Sequence, residues 1–181
     1  MNYKIERSWK YKDLDCVCLG IDLGHRCGYV RIPEGNRFFA PNYSDVVPGV
    51  KPNLDRNLGE SFGAMISLLQ GREALDKFTC TLGGIIDVHG DLTYSDHTKL
   101  NDIQGFWVGF DCGHCDDGKD MNLITDPYLK EMYEEIQNQT RDLYIKYGLE
   151  PRNLHVWTEE DVVLECEKLA EQIYNQKGNY E

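Results

Sequence analysis

The chain predicts an α+β fold, a mainly antiparallel sheet with two C-terminal helices packed on it. Apolar, β-branched runs come first and in the middle, and helical periodicity takes over after residue 126. Residues 14–32 also read as two strands joined by a tight turn, which is the antiparallel hairpin pattern.

In LDCVCLGI, residues 14–21, Cys16 and Cys18 alternate with Val17, Leu19 and Ile21, and both sets are apolar, as in a strand buried on both faces. Asp22-Leu23-Gly24 is a turn, HRCGYVRI (25–32) is the returning strand, and Pro33-Glu34-Gly35-Asn36 ends it. Residues 38–58 are rich in Pro, Asn, Gly and Asp but hold Phe38, Phe39 and Tyr43, a composition expected of an ordered loop packed over something. Phe62, Met65, Ile66 and Leu69, then Leu75 and Phe78, predict one or two short helices over 60–78. The run CTLGGIIDVH (80–89) predicts a strand, with Gly83-Gly84 as a bulge. A turn over 99–104 leads into a strand over 105–111.

Asp126-Pro127 is a helix start. Leu129, Met132, Tyr133, Ile136, Leu143, Tyr144 and Tyr147 then recur at three and four residues until Gly148. Residues 153–157 predict a short edge strand. Thr158 caps a last helix whose inner face is Val162, Cys166, Leu169, Ala170 and Ile173, and the tail from Lys177 is expected to fray. No repeat or low-complexity tract divides the chain, so residues 1–181 read as a single domain.

The 19 basic and 31 acidic residues give a formal charge of −12, which opposes nonspecific binding to nucleic acid and to anionic membranes. The glutamates of the last third fall on helices and read as solvated faces. The N-terminal stretch lacks the apolar core of a secretory signal, and no apolar run is long enough to span a bilayer, so a cytoplasmic setting is expected. The seven cysteines are then free thiols. Cys16-x-Cys18 and Cys112-x-x-Cys115 lack the second Cys-x-x-Cys or the histidine pair usual in structural zinc sites.

Three stretches place a histidine beside glycine at the edge of an apolar run: 24–29 with His25, 89–94 with His89, and 110–114 with His114. Glycine lets backbone approach a ligand, and imidazole serves as metal ligand, acid or base at neutral pH. The set G-H-x-C-G-Y-V, H-G-x-L-T-Y and G-F-D-C-x-H resembles a family of uncharacterised proteins of bacteriophages, prophages and some bacterial genomes. The likeness covers about residues 24–117. It implies a small phage-type protein acting in the host cytoplasm and brings no activity with it. Asp87-Val88-His89-Gly90 is also similar to the first metal motif of calcineurin-like phosphoesterases. Here only 92 residues follow His89 and no G-N-H-[DE] appears, so that likeness goes no further.

The residues themselves suggest a divalent-metal site of His89, Asp111 and His114, with His25, Asp91 or Cys112 as further ligand or catalytic partner. Imidazole with carboxylate suits zinc or another first-row ion, and an open position would hold a water activated for hydrolysis. A second enzymatic reading makes Cys112 a nucleophile, with His25, His89 or His114 as base and Asp91 or Asp111 orienting it; Cys27 beside His25 is an equal candidate. A third is non-enzymatic. Arg26, Arg31, Arg37, Tyr29, Tyr43, Tyr94, Phe106 and Trp107 could frame a pocket for a small, nucleotide-like ligand, or the chain could bind a host protein, with the His/Asp/Cys cluster structural. Oligomeric state is not written in these patterns.

Overall fold

A computed structural model describes residues 2–49, 61–150 and 153–175. The architecture is α+β, as expected, around one five-stranded sheet in the order β1-β2-β3-β5-β4, antiparallel at every pairing. The strands are β1 (Tyr3–Tyr11), β2 (Leu14–Ile21), β3 (His25–Ile32), β4 (Tyr94–Leu100) and β5 (Ile103–Asp111). Two hairpins turn through residue pairs with positive φ: Lys12 and Asp13 at 47° and 65°, and Asn101 and Asp102 at 46° and 63°. This is the turn geometry whose twist matches that of the flanking strands.

Both edge strands were hidden in the sequence. In β1 the alternation of Tyr3, Ile5, Trp9 and Tyr11 is broken by a register shift between Ile5 and Arg7, so its period of two is interrupted. In β4 the residues are Tyr-Ser-Asp-His-Thr-Lys-Leu, none of them buried, as suits an edge that must resist pairing with another chain.

The strand expected over 80–89 is not formed. Thr81 accepts a hydrogen bond from the Gly84 N–H at 3.0 Å and caps a single helical turn, α3 (Leu82–Ile85). Ile85, Ile86 and Val88 are buried beyond the sheet rather than paired in it. Their β-branched character reported burial, and at this length burial and strand look alike. Helices α1 (Phe62–Gln70) and α2 (Arg72–Phe78) match the expectation of short helices before it.

Alternation sorts the strand residues onto two faces. One face carries Cys16, Cys18, Val30, Ile32, Val108 and Phe110, and is covered by α5 (Glu159–Tyr174) through Val162, Cys166, Leu169, Ala170 and Ile173, together with Phe38, Leu82 and Ile86. Closeness is enforced at Gly28 of β3. A Cβ there would stand 2.5 Å from the Phe110 ring and 2.6 Å from Cys166 Sγ. The opposite face gathers Val17, Leu19, Ile21, Cys27 and Trp107. Of the aromatics in the long 38–58 connection, Phe38 is buried and Phe39 partly so, as expected, while Tyr43 is exposed; Val47 is buried too, and 50–58 lies outside the described residues, as does the tail from Lys177.

The N-terminus of α5 is fixed by a capping box between Thr158 and Asp161. Before it, 153–157 contributes one parallel bridge, His155 to Asp117, in place of the expected strand. Helix α4 (Pro127–Lys146) begins at Asp126, whose side chain accepts from the N–H groups of Tyr128 and Leu129, and none of its residues is buried. Among the described residues no helix is long and apolar enough to cross a membrane.

Candidate metal centre

β5 ends in a polar turn. The Cys112 N–H still donates to the Arg26 carbonyl at 2.9 Å, keeping step with β3, and the Asp111 carboxylate then accepts from the Gly113 N–H at 3.0 Å. The chain folds back, with the Asp117 N–H donating to the His114 carbonyl at 3.1 Å and the Asp117 carboxylate accepting from the His114 N–H at 2.9 Å. This i, i+3 turn sets His114 and Asp117 side by side.

His89 arrives from another direction. Its N–H donates to Glu165 on α5 at 2.7 Å, which anchors the segment after α3 to the helix. Its ring lies 4.2 Å from that of Trp157 at an interplanar angle of 35°, and 5.1 Å from that of His114 at 81°. Glycine at position 90 makes this possible. Its φ is +64°, and a Cβ would fall 1.9 Å from Cε1 of His114.

His89, His114 and Asp117 each offer one ligand atom, and these atoms lie within 4.8 Å of one another. Among the described residues this is the one such group, and it could hold a metal ion. His89 Nε2 is 3.0 Å from the Asp117 carboxylate and His114 Nδ1 is 3.1 Å from it. Ligands at about 2.0–2.2 Å from a tetrahedral ion stand a little over 3 Å apart, so two edges of a coordination shell are already set. Trp157 Nε1 donates to the same carboxylate at 3.0 Å and orients it, as second partners commonly do for ligating side chains.

Asp117 is buried, which pushes its carboxyl up. The hydrogen bonds from the His89 ring and from the backbone and ring of His114 outweigh burial and hold it below the usual carboxylate range. It is therefore an anion at neutral pH, as a ligand must be.

The structure thus joins two of the three expected ligands, His89 and His114, and supplies Asp117 where Asp111 was expected. Asp111 faces Cys27 across the β3–β5 pairing and caps its own turn. Asp117 was legible as the last residue of the polar stretch that β5 delivers. Trp157, forty residues further along the chain, carried no signal.

His25 lies beside the centre without entering it. Its ring packs within 3.2 Å of where a Gly113 Cβ would stand, and its buried Nδ1 has no hydrogen-bond partner among the described residues. Burial, with the charge of Lys119, pulls its pKa below the ordinary value, so the ring is neutral at pH 7.

Asp91 is engaged elsewhere. It accepts from Ser61 Oγ at 2.7 Å and from the Gly63 N–H at 3.0 Å, at the start of α1. It lines, with Gly90, Tyr43, Phe62, Lys77 and Phe78, a cleft of about 430 Å³. Gly90 thus has the cleft on one side and the His114 ring against it.

Cys112 is buried, and burial raises its thiol far above the ordinary value. A thiol so held does not supply the thiolate that nucleophilic attack requires. Cys27 is buried too, its thiol pushed up to about 12, and Cys115 is exposed, so Cys112 and Cys115 do not form a pair.

The cations of the nucleotide-pocket reading are dispersed. Arg26 pairs with Glu6, donates to Asp120 at 2.8 Å and donates to the Trp157 carbonyl at 2.7 Å, bracing the segment that holds Trp157 against Asp117. Arg31 pairs with Asp15, and Arg37 donates to the Pro48 carbonyl. Tyr29 and Tyr94 meet edge to face at 5.4 Å, while Phe106 and Trp107 are buried on opposite faces of the sheet.

No family model matches the chain, and neither does any curated protein or solved structure.

Proposed function

We propose that His89, His114 and Asp117 bind one divalent first-row cation, zinc by the character of the donors, and that the chain is a metal-dependent hydrolase of a small substrate. The observation that carries this reading is the convergence of His89 with the imidazole and ionised carboxylate of the His114–Asp117 turn. A divalent metal held by two imidazoles and one carboxylate would activate water for hydrolysis near neutral pH. The chain's own part is to orient the ligands. Trp157 fixes the carboxylate, Glu165 fixes the His89 backbone, and Gly90 gives His114 its place. Neutral His25 is available nearby to take a proton. The cleft bordered by Gly90 and Asp91 is where substrate would lie. The motif resemblance supports a phage-type protein acting in a host cytoplasm.

The test is a hydrolysis screen of phosphoesters and amides with zinc-loaded and chelated protein. Turnover should require metal and fall at least about a hundredfold in His114→Ala. Equal turnover with and without chelator would refute metal-dependent hydrolysis.

One observation favours the second reading, a binding protein for a small ligand or host protein. Asp117 receives hydrogen bonds from His89 Nε2, from Nδ1 and the N–H of His114, and from Trp157 Nε1, which is a closed network without any ion. In that case the chelated protein keeps its ligand and its full stability.

A further inference from the structure

The cleft beside Gly90 is walled by rings. Tyr43 is exposed, yet its backbone is pinned on both sides: its N–H donates to Ser95 Oγ at 2.9 Å, and its carbonyl accepts from the Gly83 N–H at 2.7 Å. Phe62, the first residue of α1, lines the same cleft while 64% exposed, and Phe78, the last residue of α2, joins it. Ser67 of α1 and Ala74 of α2 are small where they face the cleft, which leaves its 430 Å³ open. Aromatic walls around a hollow of this size, with few polar groups, are the make-up of a small-molecule site.

The charges say what kind of molecule fits. Among the described residues the lining holds one carboxylate, Asp91, and one cation, Lys77. Gly90 and Asp91 have successive positive φ values of 64° and 74°, and the Asp91 carboxylate lies at the start of α1, where it accepts from Ser61 Oγ and the Gly63 N–H. A Cβ on Gly63 would fall 2.5 Å from the Phe78 ring and 3.2 Å from that carboxylate, so this contact requires glycine. The place for an anion at the start of α1 is thus already filled from within the chain. Lys77 is exposed and pairs with no carboxylate among the described residues, unlike Lys4 and Lys10 of β1, which meet Glu6 and Asp15. One unpaired ammonium beside three rings suits a ligand with a single negative charge. A nucleoside polyphosphate needs more cations than this, and the net charge of −12 opposes it.

We propose that the cleft binds a small aromatic compound bearing one negative charge, its rings against Tyr43, Phe62 and Phe78 and its anionic group at Lys77. That this compound is the substrate rests on the metal-dependent hydrolase reading above; that it binds does not.

Fluorescence titration of the full chain tests this with two probes, in chelated and in zinc-loaded protein. Anilinonaphthalene sulfonate is an aromatic monoanion, and N-phenylnaphthylamine is the same ring system without the charge. One sulfonate per chain is expected in both preparations, bound about threefold or more tighter than the neutral probe. Lys77→Met should abolish that preference and leave the affinity for the neutral probe unchanged. Ala74→Trp should exclude both probes with an unchanged far-ultraviolet circular dichroism spectrum, and ATP at equal concentration should not displace the sulfonate. The proposal would be overturned by an absence of saturable binding, by equal affinity for the two probes, by a preference that survives Lys77→Met, or by displacement with ATP. Should Ala74→Trp disturb the fold, Lys77→Met decides alone. Sulfonate binding by a chain that takes up no zinc would leave this assignment standing and remove the hydrolase; zinc uptake without sulfonate binding would do the reverse.

Discussion

Asp117 concentrates the chemistry of the molecule in one buried carboxylate. Removing its charge while keeping its shape, Asp117→Asn, takes the anionic acceptor away from four N–H donors, and a buried charged network broken at one member costs about 3 kcal/mol. Because the folded carboxyl titrates below its unfolded value near 3.8, its stabilising effect is complete above that pH and is lost as pH falls through the lower folded value. Denaturant midpoints should thus separate wild type from Asp117→Asn near neutral pH and draw together as acid protonates the folded carboxylate, below its unfolded value. A separation constant with pH would mean that the carboxylate is not specially held. At Gly90 the geometry is stricter still. Gly90→Ala adds a methyl group where the His114 ring stands and does so at φ +64°, so zinc affinity measured by competition should drop by about tenfold or more with the sheet intact. Undiminished affinity would show that His114 does not need its present place.

At the scale of elements, α5 on β3 is the joint that keeps the centre in shape, because Glu165 holds the His89 backbone from one side of it. Gly28→Ala would drive a methyl into Phe110 and Cys166 and should lower stability by about 1–3 kcal/mol in urea unfolding. An unchanged midpoint would mean that α5 can lift without cost. This joint was readable in advance, since Val162, Cys166, Leu169, Ala170 and Ile173 repeat at helical spacing and all five are buried. The buried central strands β2, β3 and β5 were readable for the same reason, as their apolar composition is dictated by the core. Edge strands β1 and β4 were not, because an edge is selected to be polar or irregular and so loses the alternation that marks a strand. The segment 80–89 misled in the opposite sense, its isoleucines serving the core from a helical turn capped by Thr81.

At the scale of the whole molecule the centre exists because three segments distant in sequence meet: the turn after β5 that carries His114 and Asp117, the residues after α3, and Trp157 before α5. Sequence could propose His89 and His114, since each stands beside glycine at the end of an apolar run. It named Asp111 as the carboxylate and missed Asp117. The difference depends on the backbone turn after Cys112, which commits Asp111 to its own loop and faces Asp117 inward. Nor could it place Arg26, whose apparent suitability for phosphate is absorbed by Glu6, Asp120 and the Trp157 carbonyl. Metal content per chain, by elemental analysis of protein purified without chelator or affinity metal and then dialysed against zinc, tests the central claim most directly. About one zinc per chain in the wild type, lost in both His114→Ala and Asp117→Asn but retained in Asp111→Asn, is the result that the geometry predicts. A wild-type chain that takes up no zinc, manganese or iron would contradict it and leave His89, His114 and Asp117 as a hydrogen-bonded clasp at the end of the sheet.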